Sequence, residues 1–186
     1  MNKEFKATVQ AIHFLLKNFG ETNKLRLLKL IYFADKRHLI FGGRTITGDT
    51  YLAMKMGPAG STTLNVLRKD ERFDTDQLSY INQYVQVKNN KCKYVSPDMI
   101  YDQLSESDQK TLIKIGELFK SWSKDRLINW THKYPEWVQF EQAIANGSKC
   151  EQIELVALFS TIENDPLGIS KDIVEDSRSM YLGIED

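Results

Sequence analysis

Cysteine is scarce: Cys92 and Cys150 are the only two in 186 residues, and they lie far apart, at no metal-ligand spacing. A disulfide between them stays open on sequence grounds, although two cysteines in so long a chain read as incidental thiols of a reducing compartment. No run of about 20 apolar residues occurs, so no membrane-spanning helix fits. The first residues, Met1-Asn2-Lys3-Glu4-Phe5, have no apolar signal-peptide core. These absences lead us to expect a cytoplasmic protein with no membrane partner. With four prolines and ten glycines, the chain has no Pro/Gly-rich linker, and it shows no internal repeat or low-complexity tract.

What is present suits a packed core. Nine Phe, eight Tyr and three Trp in a chain that is 41% hydrophobic argue against intrinsic disorder. The length fits one compact unit with a small appendage. Net charge is zero, but unevenly spread: residues 1–72 carry 13 Lys/Arg against 6 Asp/Glu, and residues 151–186 carry 2 against 9. A basic head and an acidic tail either pack against each other or present charged faces to partners. We expect the former, since mixed solvated charge is usual on globular surfaces.

Periodicity predicts a mainly helical molecule. Phe5, Val9, Ile12, Leu16 and Phe19 recur at helical spacing ahead of Gly20. A second helix, from about Asn23 to Phe41 with Thr22 as N-cap, carries an apolar face so broad that it should be contacted on more than one side. Residues 51–56 suit a short strand, which Gly57-Pro58 ends. Pro58 opens a helix running to about Lys69, and another short helix is expected near residues 75–82. Residues 84–87 and 92–95 alternate about Asn89-Asn90, a hairpin pattern. Ser105 to Asp108 should cap a helix reaching Trp122. Later helices are expected from Ser123, from Pro135 to Gly147, over 151–163 and over 171–180. The expected fold class is α+β and predominantly α-helical, with six to eight helices and a small antiparallel β-hairpin or sheet.

The segment from Lys24 to Asp35, then His38-Leu39, Gly43 to Thr47, and Tyr51 to Pro58, resembles in that order the Panacea domain of SocA-like antitoxins. A later patch, Leu127 to Trp137 with Thr131-His132, resembles the family's "Thr-His…Trp" segment. The likeness spans roughly residues 5–145, and the ordered combination is more specific than any single piece. It implies an antitoxin of bacterial or phage toxin–antitoxin pairs that neutralises a cognate toxin by direct contact. In one branch, similar proteins hand the toxin to a AAA+ protease. The expected organisation is a Panacea-like domain over residues 1–147 and an acidic helical extension over 148–186 packed on it. The extension's Leu155 to Phe159 should dock on the domain or face a toxin or a second copy in a homodimer.

The chemistry-bearing residues also admit plain structural roles. Asp35 and His38 fall on one side of a helix, but two ligands fall short of the three or so a catalytic zinc needs. A small metal-dependent hydrolase built on Asp35, His38 and His132 is the enzymatic alternative, against which stands the lack of any Gly-x-Ser-x-Gly, reactive-cysteine or phosphate-loop pattern. Lys24, Arg26, Lys29, Lys36 and Arg37 give the second helix a basic character, so a DNA-binding autoregulator is the other alternative. Nucleic acid is disfavoured, because the acidic tail repels phosphate and lysines around a buried helix commonly snorkel. We therefore expect no enzyme, cofactor or metal, and a partner-binding surface drawn from Lys29, Tyr32, Asp35, His38, Gly57, Pro58, Trp130, His132 and Trp137. Of these, Lys29, Tyr32 and Asp35 suit a polar rim, while Trp122, Trp130 and Trp137 are expected mainly in the core, with Trp137 the most accessible of the three.

Overall fold

The computed structural model describes residues 1–183. The fold is α+β and predominantly helical, with two three-stranded antiparallel sheets among nine α-helices in the described residues. Helix α1 (Lys3–Phe19) starts at Asn2, whose side chain accepts from the Phe5 amide, and buries Phe5, Val9, Ile12 and Leu16. Its two-residue link, β1 (Thr22–Asn23), leads into α2 (Lys24–Gly42). Asn23, not Thr22, caps α2 by accepting from the Leu25 amide at 2.9 Å. Gly43, at φ 73°, closes the other end with its amide on the Leu39 carbonyl.

Helix α2 is the axis of the molecule. Every residue from Leu27 to Ile40 except Arg37 is buried. Its breadth of apolar face does what the sequence pattern implied: α1, α5 (Glu106–Leu118), α6 (Lys124–Thr131) and both sheets pack around it. The aromatic layer is continuous there, with Phe33 stacked on Phe119 at 4.6 Å between ring centroids.

One sheet runs β3-β2-β6, with β2 (Tyr51–Met54) central between β3 (Ala59–Gly60) and β6 (Cys150–Ile153). Tyr51 pairs with both Gly60 and Ile153, and Met54 with Cys150. The other sheet runs β1-β5-β4, with β4 (Val85–Lys88) and β5 (Lys91–Tyr94) forming the expected hairpin. Asn89 and Asn90 sit at φ 51° and 62°, as a two-residue turn of the primed type requires. Cys92 lies buried in β5, where burial pushes its thiol up to about 11, while Cys150 is exposed in β6; both are free.

Helix α3 (Ser61–Arg68) has no cap from its own Gly60, so a distant carboxylate supplies it. Asp49 accepts from the Thr62 amide at 2.7 Å and from the Thr63 amide and hydroxyl at 2.8 Å. Helix α4 (Thr75–Tyr84) and α5 each begin with a capping box, Asp74 with Gln77 and Ser105 with Asp108.

Several expectations are corrected. Helix α5 stops at Leu118 rather than Trp122, because Arg26 takes the Phe119 carbonyl at 2.7 Å and also the Trp122 carbonyl, groups that would otherwise face further helix. The segment from Pro135 to Gly147 is two short helices, α7 (Pro135–Val138) and α8 (Glu141–Ala145). The expected helix over 151–163 does not form: its start is strand β6, drawn onto the free edge of β2, and Leu155–Leu158 is a single 3-10 turn. That turn docks on the core, burying Leu158 and Phe159. Helix α9 (Lys171–Leu182) ends the described chain and packs on α2.

Candidate partner-binding site

Five of the nine expected site residues meet around the corner after β2. The Met54 carbonyl accepts from the Gly57 amide at 2.8 Å and from Trp137 Nε1 at 2.9 Å, so the loop and α7 are tied to one oxygen. Gly57 holds φ 88°, and a Cβ there would fall against the Thr131 hydroxyl and 2.9 Å from Lys29 Nζ. Lys29, only 2% exposed, donates to the Pro58 carbonyl at 2.7 Å. His132 stacks flat on Trp137, 3.9 Å between centroids. The Gly-Pro element and the His…Trp element, far apart in sequence, thus share a seam beside α2.

The electrostatics of this seam are unbalanced. Burial draws Lys29 down to about 7, and no carboxylate among the described residues sits beside it to hold the ammonium form. Burial, with Lys29 nearby, also lowers the pKa of His132, favouring the neutral ring, and its Nε2 finds no hydrogen-bond partner among the described residues. A lone buried amine with one acceptor for three donors is a group with unused capacity.

Tyr32 and Asp35 lie in the interior instead. Tyr32 and Lys36 both donate to Glu136 Oε1 at 2.6 Å. Lys36 also reaches the Leu158 carbonyl at 2.9 Å and the Ser160 hydroxyl at 2.8 Å, which itself donates to Glu136 Oε2 at 2.5 Å. Its ammonium stands 4.5 Å over the Tyr134 ring, and Tyr134 donates to Asp165 at 2.7 Å. Asp35 accepts from the Ile46 amide at 2.8 Å, the Thr47 amide at 3.1 Å, the Thr47 hydroxyl and the Tyr51 hydroxyl at 2.6 Å. Burial lifts its carboxyl to about 6 against those four donors. Lys29, Tyr32 and Asp35 therefore form no polar rim; all three are buried because layers cover α2 on every side.

The same burial removes the basic helix as a nucleic-acid face. Lys29 and Lys36 are enclosed rather than snorkelling, Arg26 is tied to carbonyls just after α5, and Arg37 donates to the Leu167 carbonyl at 2.8 Å. Trp137 is buried through its bond to Met54, whereas Trp122 and Trp130 are half-buried and tilted against each other at 5.7 Å. Lys133 stands 4.0 Å over the Trp130 ring.

His38 turns to the opposite end of α2, not toward Asp35. Its Nδ1 lies 2.8 Å from the Arg44 carbonyl and its Nε2 3.0 Å from Asp108, which Arg44 also grips with two contacts of 2.9 Å. His13 is satisfied by Tyr101 and the Ser96 carbonyl. The trio Asp35, His38 and His132 therefore shares no hydrogen bond. Among the described residues, no three His, Cys, Asp or Glu side chains converge where a metal ion would sit, and no helix is long and apolar enough to cross a membrane. Glu136 and Lys36 went unrecognised in the sequence as a buried pair; the signal was the apolar company of Tyr134 and Trp137 on either side of a lone Glu.

The profile of the antitoxin SocA-like, Panacea domain family matches residues 27–138. That stretch is over half of the chain and runs from the first turn of α2 through α7, taking in both sides of the Gly57 seam; the chain belongs to this family. Searches of curated proteins and of solved structures gave no match.

Proposed function

We propose that this protein is an antitoxin that neutralises a cognate toxin by direct protein–protein binding. The observation that carries the reading is the family match over residues 27–138, which includes every residue of the Gly57 seam. Geometry supports it: the family's two recognisable elements are fixed to each other by the shared Met54 carbonyl and a stacked His132–Trp137 pair, giving a rigid frame on which loop residues are displayed. The hydrogen bonds of Asp35, Lys36 and Glu136 are used up inside the fold, which fits an action through surface contact.

The test is co-expression with the product of the adjacent open reading frame. A toxic neighbour should be silenced by this chain, and the two should co-elute after purification. Growth arrest left untouched by the chain would overturn the reading. Delivery to a AAA+ protease is a further part of the proposal, checked by the toxin's half-life with and without the chain; self-association is checked by light scattering. Such a protein works in the cytoplasm beside its toxin.

A further inference from the structure

Between α2, the corner after β2, and α3 lies a cavity of about 150 Å³ that Lys29 lines. Its walls are apolar: Leu25, Leu28, Met54, Ala59 and Leu64. Three exposed cations, Lys55, Arg68 and Lys149, surround the opening, and no acidic residue among the described ones lines it. Among the described residues none of the three makes an ion pair or a side-chain hydrogen bond. Asp70, the carboxylate nearest Arg68 along the chain, is taken by Arg72 at 2.7 Å. Lys29, at the base, has an acceptor for one of its three donors.

A second basic cavity, of about 290 Å³ near His38, makes the contrast. There Arg44 is held by Asp108, Lys110 by Glu106 and Arg37 by the Leu167 carbonyl, so that cluster is largely satisfied internally. The cavity beside Lys29 is not. Three exposed, unpaired cations around an apolar hollow favour the approach of a carboxylate-bearing partner.

Volume chooses the occupant. Sites for free small molecules run from roughly 300 Å³ upward, whereas an apolar cavity of about 150 Å³ admits a group the size of benzene. This one holds a single Leu-, Met- or Phe-sized side chain. Met54 and the 41%-exposed Met56 line it with flexible thioethers that adapt to such a guest.

We propose that this cavity takes one apolar side chain from an acidic segment of a partner protein, with Lys55, Arg68 and Lys149 receiving the flanking carboxylates. The proposal rests on the reading of the chain as a partner-binding antitoxin and adds the chemistry of what it grips.

The test uses dye-labelled pentapeptides, each with a central leucine and two acidic residues on either side, titrated by fluorescence anisotropy into the full chain. Binding should saturate and weaken with salt. It should fall at least about tenfold when the central leucine is alanine, and by at least about as much in the triple variant Lys55→Glu, Arg68→Glu, Lys149→Glu. The reversal Lys114→Glu with Lys120→Glu, elsewhere on the surface, should leave it unchanged. Because the three rim residues are exposed, thermal melting should show the triple variant folded; Ala59→Leu, which fills the cavity without touching charge, is the second variant and should also abolish binding.

No saturable binding at millimolar peptide, equal binding of a lysine-flanked peptide, or indifference to the rim reversal would each overturn the proposal. Growth rescue from the neighbouring toxin is measured in parallel. Rescue by wild type and rim variant alike sinks the cavity's role while the antitoxin reading stands. Peptide binding without rescue by the wild type sinks the antitoxin reading and leaves the cavity assigned.

Discussion

Lys36 and Glu136, a hundred residues apart in sequence, meet at 2.6 Å in the centre of the molecule with neither side chain exposed. The pair joins α2 to α7, and through the Leu158 carbonyl and Ser160 it reaches the segment after β6. Burial pulls Lys36 below the usual lysine value, and the Glu136 charge pulls it back. Removing one partner strands the other charge, so Glu136→Leu should lower unfolding free energy by about 3–5 kcal/mol. The double variant Lys36→Met with Glu136→Leu should recover the part of that loss that comes from the stranded charge, while the Tyr32 and Ser160 hydroxyls and the Leu158 carbonyl still lack their partners. Urea unfolding of the wild type, the single variants Glu136→Leu and Lys36→Met, and the double variant measures the coupling. Additive losses would show that the two residues act independently.

Lys29 offers a pH signature. Its folded value of about 7 lies below the usual 10.5, so between those limits the unfolded chain holds a proton that the folded chain has released. Stability then rises with pH wherever the unfolded state binds more protons. The protein should gain stability from pH 7 upward, until the tyrosine range near 10 is reached. There the raised values of Tyr32 and Tyr51 act in the opposite sense, since the folded chain keeps their protons longer. Lys29→Met should flatten the slope between pH 7 and 9 and make the protein more stable at pH 7, as a buried amine with no carboxylate beside it among the described residues is replaced by a thioether of similar length. Urea midpoints measured every half pH unit check both statements.

How much of this was legible in the sequence varies with the physics involved. Helices α1 and α2 and the β4–β5 hairpin announce themselves through period and turn residues, signals that sit within a few positions of one another. Strand β6 does not: Cys150-Glu151-Gln152-Ile153 has no β pattern, and it becomes a strand because β2 has a free edge to pair with. The burial of Lys29 and Lys36 was hidden for a similar reason. A helix coated on all sides forces even its lysines inward, while periodicity reads each lysine as surface. The partnership of Gly57 and Pro58 with His132 and Trp137 was visible only as two motifs in one family pattern; their contact is set by the Met54 carbonyl, and Lys55, Arg68 and Lys149 carry no pattern linking them to one cavity.

Gly57 and Gly147 separate backbone strain from crowding. Both have positive φ, 88° and 104°. A Cβ at Gly147 would meet nothing within 4 Å, whereas at Gly57 it would press on Thr131, Lys29 and His132. Gly147→Ala should therefore cost only the conformational term, about 1–2 kcal/mol. Gly57→Ala adds steric displacement of Lys29 and the α6 terminus and should cost about 2–3 kcal/mol more. Thermal melting of the two variants under one set of conditions gives the difference, and equal losses would mean that the Gly57 seam is looser than described.

Asp35 pins the chain between α2 and β2, and its two oxygens face different donors. Oδ1 accepts two amides, from Ile46 and Thr47, while Oδ2 accepts two hydroxyls, from Thr47 and Tyr51. Asparagine can keep its carbonyl oxygen on the amides and turn its NH₂ toward the hydroxyls, which rotate to accept. Asp35→Asn should thus cost no more than about 1–2 kcal/mol, whereas Asp35→Leu leaves two amides and two hydroxyls unpaired and should cost about 3–5 kcal/mol. A pH effect separates the wild type from the Asn variant further. With its folded value raised to about 6 from 3.8, wild-type Asp35 takes up a proton before the unfolded chain does. Its contribution to stability is therefore greatest below pH 4 and declines as pH rises to 6. Asn has no proton to exchange, so subtracting its stability profile from that of the wild type should reveal this decline alone. A flat difference between pH 4 and 6 would mean that the four hydrogen bonds hold the carboxylate charged through the whole range.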